Sequence, residues 1–304
     1  MNVIVTGGAG FIGSHIVENL LEYKKISKII ILDNLSNGNK KNLQFVIKNK
    51  KITFIKADIC NKNKIKKYFK NISFVFHLAG IADIIPSIKN PTKYLHTNFT
   101  GTVNILECAK KYKVKKIIYA ASSSCYGHTP NKKIAENFGI SLLNPYAFSK
   151  YMGEQALLNW SKICNISFVS LRLFNVFGPR SKNSGSYSAV ISLFIKQKLM
   201  GKPFTIVGNG KQTRDFVHVK DVSNAFILAA FSKIKNEIFN IGTGKSVQIL
   251  ELVKILKGRK IHTKKRALEA KYSKANINKV RKYLNWKPNK NFKSSLLELL
   301  NIKS

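Results

Sequence analysis

The sequence predicts an α/β chain built on a parallel sheet, and three observations carry that prediction. Short β-branched runs alternate with longer amphipathic stretches through residues 1–175. The runs are apolar along their length instead of at every second position, the pattern of strands covered on both faces. Hydrophobic residues fill 44% of the 304 positions, enough for a sizeable core and too many for a chain that is disordered as its main state. The length suggests one large domain or two smaller ones.

Taken in order, the first strand is expected at 2–6 and the first helix at 11–23. A second strand follows at 29–33 and a third at 52–57, with a helix over 62–69. The fourth strand falls at 74–79, a long helix at 91–112, the fifth strand at 116–121, a helix at 146–164 and the sixth strand at 167–173. Beyond Phe177 the alternation breaks, and Pro and Gly cluster at Gly178-Pro179, Gly201-Lys202-Pro203 and Gly208-Asn209-Gly210. A helix at 188–200, a strand at 204–207, a helix at 219–231 and small C-terminal segments complete the reading. No internal repeat or low-complexity linker separates the parts. Residues 1–175 with about 210–241 are assigned to a cofactor domain, and about 176–209 with 242–304 to a smaller mixed α/β domain for the substrate.

The net charge of +39 makes nucleic acid or an acidic membrane the first partner to weigh. Only six of the 53 basic residues are Arg, and the Lys residues are spread along the whole chain among many Asn and Ile. Nucleic-acid readers concentrate Arg and Lys on one face and interleave aromatics. The charge therefore reads as composition, with salt-dependent polyanion binding as its by-product, and no specific nucleic acid is expected. No apolar run is long enough for a transmembrane helix. Asn2-Val3-Ile4-Val5-Thr6 at the start reads as a buried strand without the basic region or cleavage site of a leader, so no secretory signal is expected. Cys60, Cys108, Cys125 and Cys164 are far apart without a CxxC pair, which reads as reduced thiols in a cytoplasmic protein. The six His show no metal-ligand spacing, and His77 and His218 sit inside strand-like motifs as structural residues. No metal is expected.

The chemistry begins at Thr6-Gly7-Gly8-Ala9-Gly10-Phe11-Ile12-Gly13, between the first strand and helix. Gly7, Gly10 and Gly13 permit a tight turn, close approach of a pyrophosphate and close helix–strand packing. The helix N-terminus then aims its free N–H groups at the phosphates. Asp33, at the end of the second strand, is placed to accept from both hydroxyls of an adenine ribose and to repel a 2′-phosphate. Asn34 in place of Arg favours NAD over NADP, although Lys40 and Lys41 lie nearby. Asp58 is either an acceptor for the adenine amine or an N-cap for the following helix. These features specify a Rossmann-type, doubly wound sheet.

The fifth strand runs into Ser122-Ser123-Ser124-Cys125-Tyr126-Gly127, and Pro145-Tyr146-Ala147-Phe148-Ser149-Lys150 follows. Tyr146 and Lys150, four apart, share one face of a helix. An ammonium beside a phenol favours the phenolate and brings Tyr towards the range of a general base. A hydroxyl at the C-terminal end of a strand, Ser122, lies where open α/β sheets bind ligands.

With TGGAGFIG (6–13), DNLSNG (33–38), HLAG (77–80), HTNFTGTVNIL (96–106), SSSCYG (122–127), NPYAFSK (144–150), LRLFNVFGPR (171–180) and GNGKQTRDFVHVKDV (208–222), the chain resembles the extended short-chain dehydrogenase/reductases. Within them it is similar to the NAD-dependent epimerase/dehydratase family and its UDP-glucose and UDP-N-acetylglucosamine 4-epimerases. The resemblance implies tightly held NAD, a UDP-sugar between the domains, and a homodimer through the helices near 91–112 and 146–164. It implies Tyr146 as base for the sugar 4-hydroxyl, Ser122 as hydrogen-bond partner of that oxygen, and Lys150 on the nicotinamide ribose. Phe11, Ile12, Ile59, Leu78, Ala79, Gly80 and Asn98 are the further implied cofactor positions.

Dehydratases of this family carry Asp and Glu directly after the first Ser/Thr, where this chain has Ser123 and Ser124. That argues against 4,6-dehydration, and the triple serine resembles epimerases of N-acetylated UDP-hexoses. Cys125 is most simply a small filler. Asn175, Arg180, Arg214, Arg266 and Glu269 match positions around the diphosphate and uridine. Arg172, Arg259 and Arg281 receive no role. The resemblance implies that the residue seven past Arg266, Ser273, lies at the wall beside the sugar 2-substituent, where a small residue admits an acetamido group. UDP-N-acetylglucosamine/UDP-N-acetylgalactosamine is therefore the expected pair, ahead of UDP-glucose/UDP-galactose. A shift of one residue places Tyr272 at this wall and reverses the preference. A nucleotide-sugar dehydratase or reductase is the runner-up, and a non-catalytic polyanion-binding protein the alternative of another class.

Overall fold

Each apolar run in the first 175 residues forms a strand: β1 (Asn2–Thr6), β2 (Lys28–Asp33), β3 (Ile52–Lys56), β4 (Ile72–His77), β5 (Lys116–Ser122) and β6 (Ser167–Leu173). These are the elements of a computed structural model that describes residues 1–181, 190–264 and 270–301. A seventh strand, Glu237–Ile241, completes the sheet in the order Glu237–Ile241, β6, β5, β4, β1, β2, β3. Pairing is parallel, with Val3 opposite Ile29 on one side and Phe74 on the other. Val3, Ile4, Val5, Ile29, Ile31, Leu32, Val75 and Phe76 are fully or nearly fully buried, each worth about 1.5–3 kcal/mol on transfer from water. The chain leaves β1 towards β2 and returns on its other side as β4. Ligands of such sheets bind beyond the strand C-termini at that reversal.

Two helices differ from the expectation for a physical reason. The stretch 91–112 is broken into Pro91–Leu95, a π-helical turn His96–Thr100, and Gly101–Lys111. The turn lets Asn98 reach inward to bond the backbone of Ile81, which a periodicity reading does not register. The stretch 62–69 is α-helical over Lys62–Ile65 and tightens to a 3₁₀ turn over Lys66–Phe69. Asn61 caps it by accepting from the Lys64 N–H at 3.1 Å.

The chain divides into two units. The first comprises Met1–Ser122, Asn144–Arg172 and Ser223–Phe239, and holds most of the sheet and its helices. The second takes Ser123–Leu143, Leu173–Val222 and the chain from Asn240 onward. Residues 123–143 and 210–222 thus belong with the second unit, not with the first as their sequence position suggests. Long-range bonds decide this. Ile134 bridges to Ala275, Tyr126 donates to Asn240 Oδ1 at 2.7 Å, and Asp221 accepts from the Asn289 and Lys290 N–H groups. The core of this unit gathers Phe177, Phe194, Phe204, Phe216, Leu252 and Leu296. Its strands form small pairs, among them Asn175–Phe177 with Phe216–His218, and Thr213–Arg214 with Val247–Gln248.

Candidate active site

The glycine turn has the geometry its chemistry requires. Gly7 adopts φ +68°, and a Cβ there would lie 2.7 Å from the Ala79 nitrogen. A Cβ at Gly13 would overlap the Gly7 carbonyl oxygen, so helix and turn meet only because both are bare. Gly10 is the N-cap of helix Phe11–Leu21, with no side chain capping it and no acid in its first turn. The first N–H groups are therefore available to an anion.

Asp33, 6% exposed, stands at the rim of this turn. Its Oδ2 accepts from the Ala9 N–H at 3.0 Å and its Oδ1 from the Leu35 N–H at 2.8 Å. Each oxygen keeps a further lone pair for a diol. Leu35 pays a conformational cost to donate, at φ +62° in the left-handed region. Burial pushes the Asp33 carboxyl above the usual carboxylate range against these two donors. Gly38, which the sequence reading did not single out, is the counterpart of this seat. A Cβ on it would lie 2.9 Å from both Asp33 oxygens, filling the approach to them. Asn34 donates to Asp58 Oδ2 at 2.9 Å, and Asp58 Oδ1 accepts from the Cys60 N–H. Burial raises Asp58, yet these donors outweigh it and its carboxyl is held low. Asn61, not Asp58, is the cap of the following helix. The bare turn, uncapped helix and open diol seat fit a dinucleotide. Gly38 lies outside the left-handed region, so Ala is compatible with its backbone. Gly38→Ala is expected to weaken NAD binding by about tenfold or more with the fold retained, read by titration of the stripped protein. Unchanged affinity would remove Gly38 from the site.

Behind the turn runs a chain of hydrogen bonds whose proton order is fixed. Thr6 Oγ1 accepts from the Leu78 and Ala79 N–H groups, so its own proton goes to His77 Nδ1 at 2.7 Å. His77 Nε2–H then donates to Thr102 Oγ1, whose proton goes to the Asn98 carbonyl. Burial, with Lys150 adding to it, pushes His77 down to about 3, consistent with this neutral tautomer. The chain holds the expected cofactor positions Leu78 and Ala79 in place. Gly80, Asn98 and Lys150 are brought together: a Cβ on Gly80 would lie 2.8 Å from Asn98 Oδ1 and 3.8 Å from Lys150 Nζ. Phe11 and Ile12 are half-buried in the first turn of their helix. Ile59 is only 3% exposed; it lies against Gly101, and its carbonyl accepts from Asn104.

The helix Pro145–Cys164 starts with Asn144 Oδ1 accepting from the Ala147 N–H at 2.9 Å and Pro145 in its first turn. Tyr146 thus sits at a fixed helix start, its ring edge-on to Tyr94 at 6.5 Å. Burial and Asp83 push Tyr94 up to about 12, so it stays neutral beside Tyr146. Ser149 Oγ donates to the Tyr146 carbonyl and accepts from Asn98, tying the helix to the π turn. Lys150, one turn on, is 7% exposed with Nζ 4.3 Å from the Tyr119 ring centroid. Burial lowers it to about 7, and Glu154 pulls it back up. Ser122 ends β5, and Ser123 and Ser124 open the 3₁₀ turn Ser123–Tyr126.

Arg172, without a role in the sequence reading, forms a buried fork with Glu154. Nη2 lies 2.7 Å from Oε1 and Nε 3.2 Å from both oxygens, while Ser170 donates to Oε2 at 2.8 Å. Two signals in the sequence pointed here: an acid four residues after Lys150 in a chain with only 14 acids, and an Arg where Lys is the default cation.

In the second unit, Asn175 Nδ2 approaches Ser273 Oγ at 3.5 Å, so a residue expected near the diphosphate meets the one expected beside the sugar 2-substituent. Tyr272 is engaged differently: its carbonyl accepts from Thr129, and the Lys271 ammonium lies 5.0 Å from its ring centroid. Arg214 is half-buried and donates to the Thr213 carbonyl at 2.8 Å. Arg180 follows Gly178-Pro179 at φ +66°. Arg266 and Glu269 lie outside the described residues. Among the described residues no group of three His, Cys, Asp or Glu is placed to hold a metal ion, and no helix is long and apolar enough to cross a membrane.

Known proteins resemble this chain in sequence and fold. Residues 3–242 match the NAD dependent epimerase/dehydratase family. A Methanocaldococcus jannaschii protein, described provisionally as a UDP-glucose 4-epimerase, is 40% identical over 98% of this chain and 97% of its own. The UDP-N-acetylglucosamine 4-epimerase of Methanobrevibacter ruminantium, solved with UDP-N-acetylmuramic acid, superposes with a TM-score of 0.93 at 34% identity, covering 99% of this chain and 98% of that one. A dTDP-glucose 4,6-dehydratase of Streptomyces venezuelae, solved with NAD, superposes at 0.94 with 25% identity, covering 99% of this chain and 96% of that one. With the glycine turn, the diol seat and the Tyr146–Lys150 helix already in place, this chain belongs to the NAD-dependent epimerase/dehydratase family.

Proposed function

We propose that this protein is a UDP-hexose 4-epimerase whose preferred pair is UDP-N-acetylglucosamine and UDP-N-acetylgalactosamine, with UDP-glucose and UDP-galactose second. The observation that carries the epimerase reading is the Tyr146–Lys150 turn of helix Pro145–Cys164 beside a dinucleotide cradle. NAD, when bound by the glycine turn, Asp33 and Lys150, supplies a reversible hydride acceptor for C4. Tyr146 would take the proton of the 4-hydroxyl as C4 is oxidised and give it back as C4 is reduced again on its opposite face. Ser122 holds the same oxygen by a hydrogen bond, and the Lys150 charge favours the Tyr146 phenolate. The dehydratase chemistry of relatives needs further groups. Elimination of water across C5 and C6 needs an acid and a base at the positions that Ser123 and Ser124 fill. Serine hydroxyls are poor proton carriers for that step.

The sugar preference rests on Ser273 beside Asn175. A serine leaves room where a phenol ring would stand, and its hydroxyl can bond an acetamido group. Product analysis by NMR with each UDP-hexose tests the whole reading: a 4-epimer is expected, and accumulation of a 4-keto-6-deoxy sugar or stoichiometric NADH consumption would reject it. Ser273→Tyr is expected to cut kcat/KM for the acetylated sugars by about tenfold or more relative to the plain hexoses. Equal losses on both pairs would detach Ser273 from the pocket.

A further inference from the structure

Asp215 is fully buried, next to the half-buried Arg214, and among the described residues its carboxylate accepts from neutral donors. Oδ1 accepts from the Thr243 N–H and hydroxyl, both at 2.7 Å. Oδ2 accepts from the Gly244 and Ala275 N–H groups, both at 2.9 Å. Gly242 completes the cage, because a Cβ there would lie 2.7 Å from Ala275 Cβ and 2.9 Å from Asp215 Oδ2. One buried charge therefore ties together three stretches of chain that are distant in sequence.

One of those stretches carries Ser273. The Lys271 carbonyl accepts from the Thr213 N–H at 3.0 Å, the Tyr272 carbonyl from Thr129 at 2.8 Å, and the Lys274 carbonyl from the Ile134 N–H at 2.9 Å. Ala275 N–H is the only one of these anchors whose partner is an acid side chain. Thr213 and Asp215, two apart, hold positions 271 and 275, and Ser273 lies midway between them. Asp215 also presents its own carbonyl to the Asn175 N–H at 3.0 Å, so it bonds Asn175 directly and reaches Ser273 through Ala275, two residues on.

We propose that Asp215 is the specificity-positioning residue of the sugar pocket, holding Ser273 in register opposite Asn175. It touches no reacting atom in this role. The inference rests on the reading of Ser273 as the wall beside the sugar 2-substituent. A pocket that distinguishes an acetamido group from a hydroxyl must keep this wall within a few tenths of an ångström, and a charge with four donors resists such displacement better than a neutral amide.

Asp215→Asn tests it. The amide keeps the size but turns an NH2 towards two backbone donors, so part of the cage opens. The ratio of kcat/KM for UDP-N-acetylglucosamine to that for UDP-glucose is expected to fall by about tenfold, mainly through KM for the acetylated sugar. Bound NAD and kcat on UDP-glucose should stay within about twofold of the parent, as befits a residue outside the reacting centre. Thr213→Val is the matched control: its hydroxyl has no partner among the described residues, and its N–H, which does the anchoring, is retained. An unchanged ratio in a folded Asp215→Asn protein, or equal losses on both sugars, overturns the inference. Should that variant fail to fold, Thr243→Val and Thr129→Val, each removing one anchor, are judged by the same ratio. If Ser273→Tyr moves the ratio and the anchor variants do not, only the role of Asp215 falls. If Ser273→Tyr leaves the ratio unmoved, the pocket reading itself is rejected.

Discussion

Tyr146→Phe is expected to lower kcat by about 10²–10⁴-fold, the usual worth of a positioned acid–base group, and to leave NAD and UDP bound. The substitution removes one oxygen and little else. The edge-on contact with Tyr94 is a ring contact that Phe keeps. The helix start is held by Asn144, Pro145 and the Ser149 bond to the Tyr146 backbone carbonyl, none of which uses the phenol. Loss of activity would therefore report chemistry rather than collapse, and a thermal melt close to the parent's checks this. The loss should appear in kcat on every UDP-hexose alike, because the 4-hydroxyl is common to all of them. Single-turnover reduction of bound NAD in the presence of substrate is the sharper measurement. Parent-like reduction in Tyr146→Phe would mean that another group takes the proton, and the assignment of the base would fail.

What could be read from the sequence was local in the chain. Gly7, Gly10 and Gly13 fall within one turn, Tyr146 and Lys150 within another, and Asp33 closes a strand whose apolar pattern marks its end. The partners that act on these residues lie far away. Gly38 shields nothing in sequence terms, yet it leaves both Asp33 oxygens open. Asn98 broke a helix that periodicity drew as continuous, because bonds to Ile81 and Ser149 outweighed one regular turn. The unit boundaries depend on the same kind of contact: Ser123–Leu143 follows β5 directly but is bonded to segments from Asn240 onward. The Asp215 cage spans 60 residues at its longest bond. A pattern-based reading registers residue type and spacing, whereas these features depend on which distant backbone a side chain meets.

The buried fork behind Lys150 carries the second large effect. Glu154→Gln leaves the Arg172 guanidinium without its counter-charge in a place where neither residue is more than 4% exposed. Breaking such a pair from one side costs about 3–5 kcal/mol, a large part of a typical folding stability, so chemical denaturation should show a much lowered midpoint. Replacing both partners with apolar residues of similar size, as in Glu154→Leu with Arg172→Met, should recover most of that stability, because the desolvation of both charges is then no longer required. The activity of that double variant separates packing from electrostatics. Burial already depresses Lys150 to about 7, and Glu154 is the group that pulls it upward. Without that carboxylate Lys150 falls further and loses its proton at lower pH. The charge that favours the Tyr146 phenolate is then present at acidic pH and lost as pH rises through the lowered pKa. The double variant should accordingly retain more of the parent's kcat at pH 6 than at pH 8. A constant ratio across that range would mean that Glu154 and Arg172 only fill space behind Lys150, and that the charge of Lys150 is set by burial and its other neighbours alone.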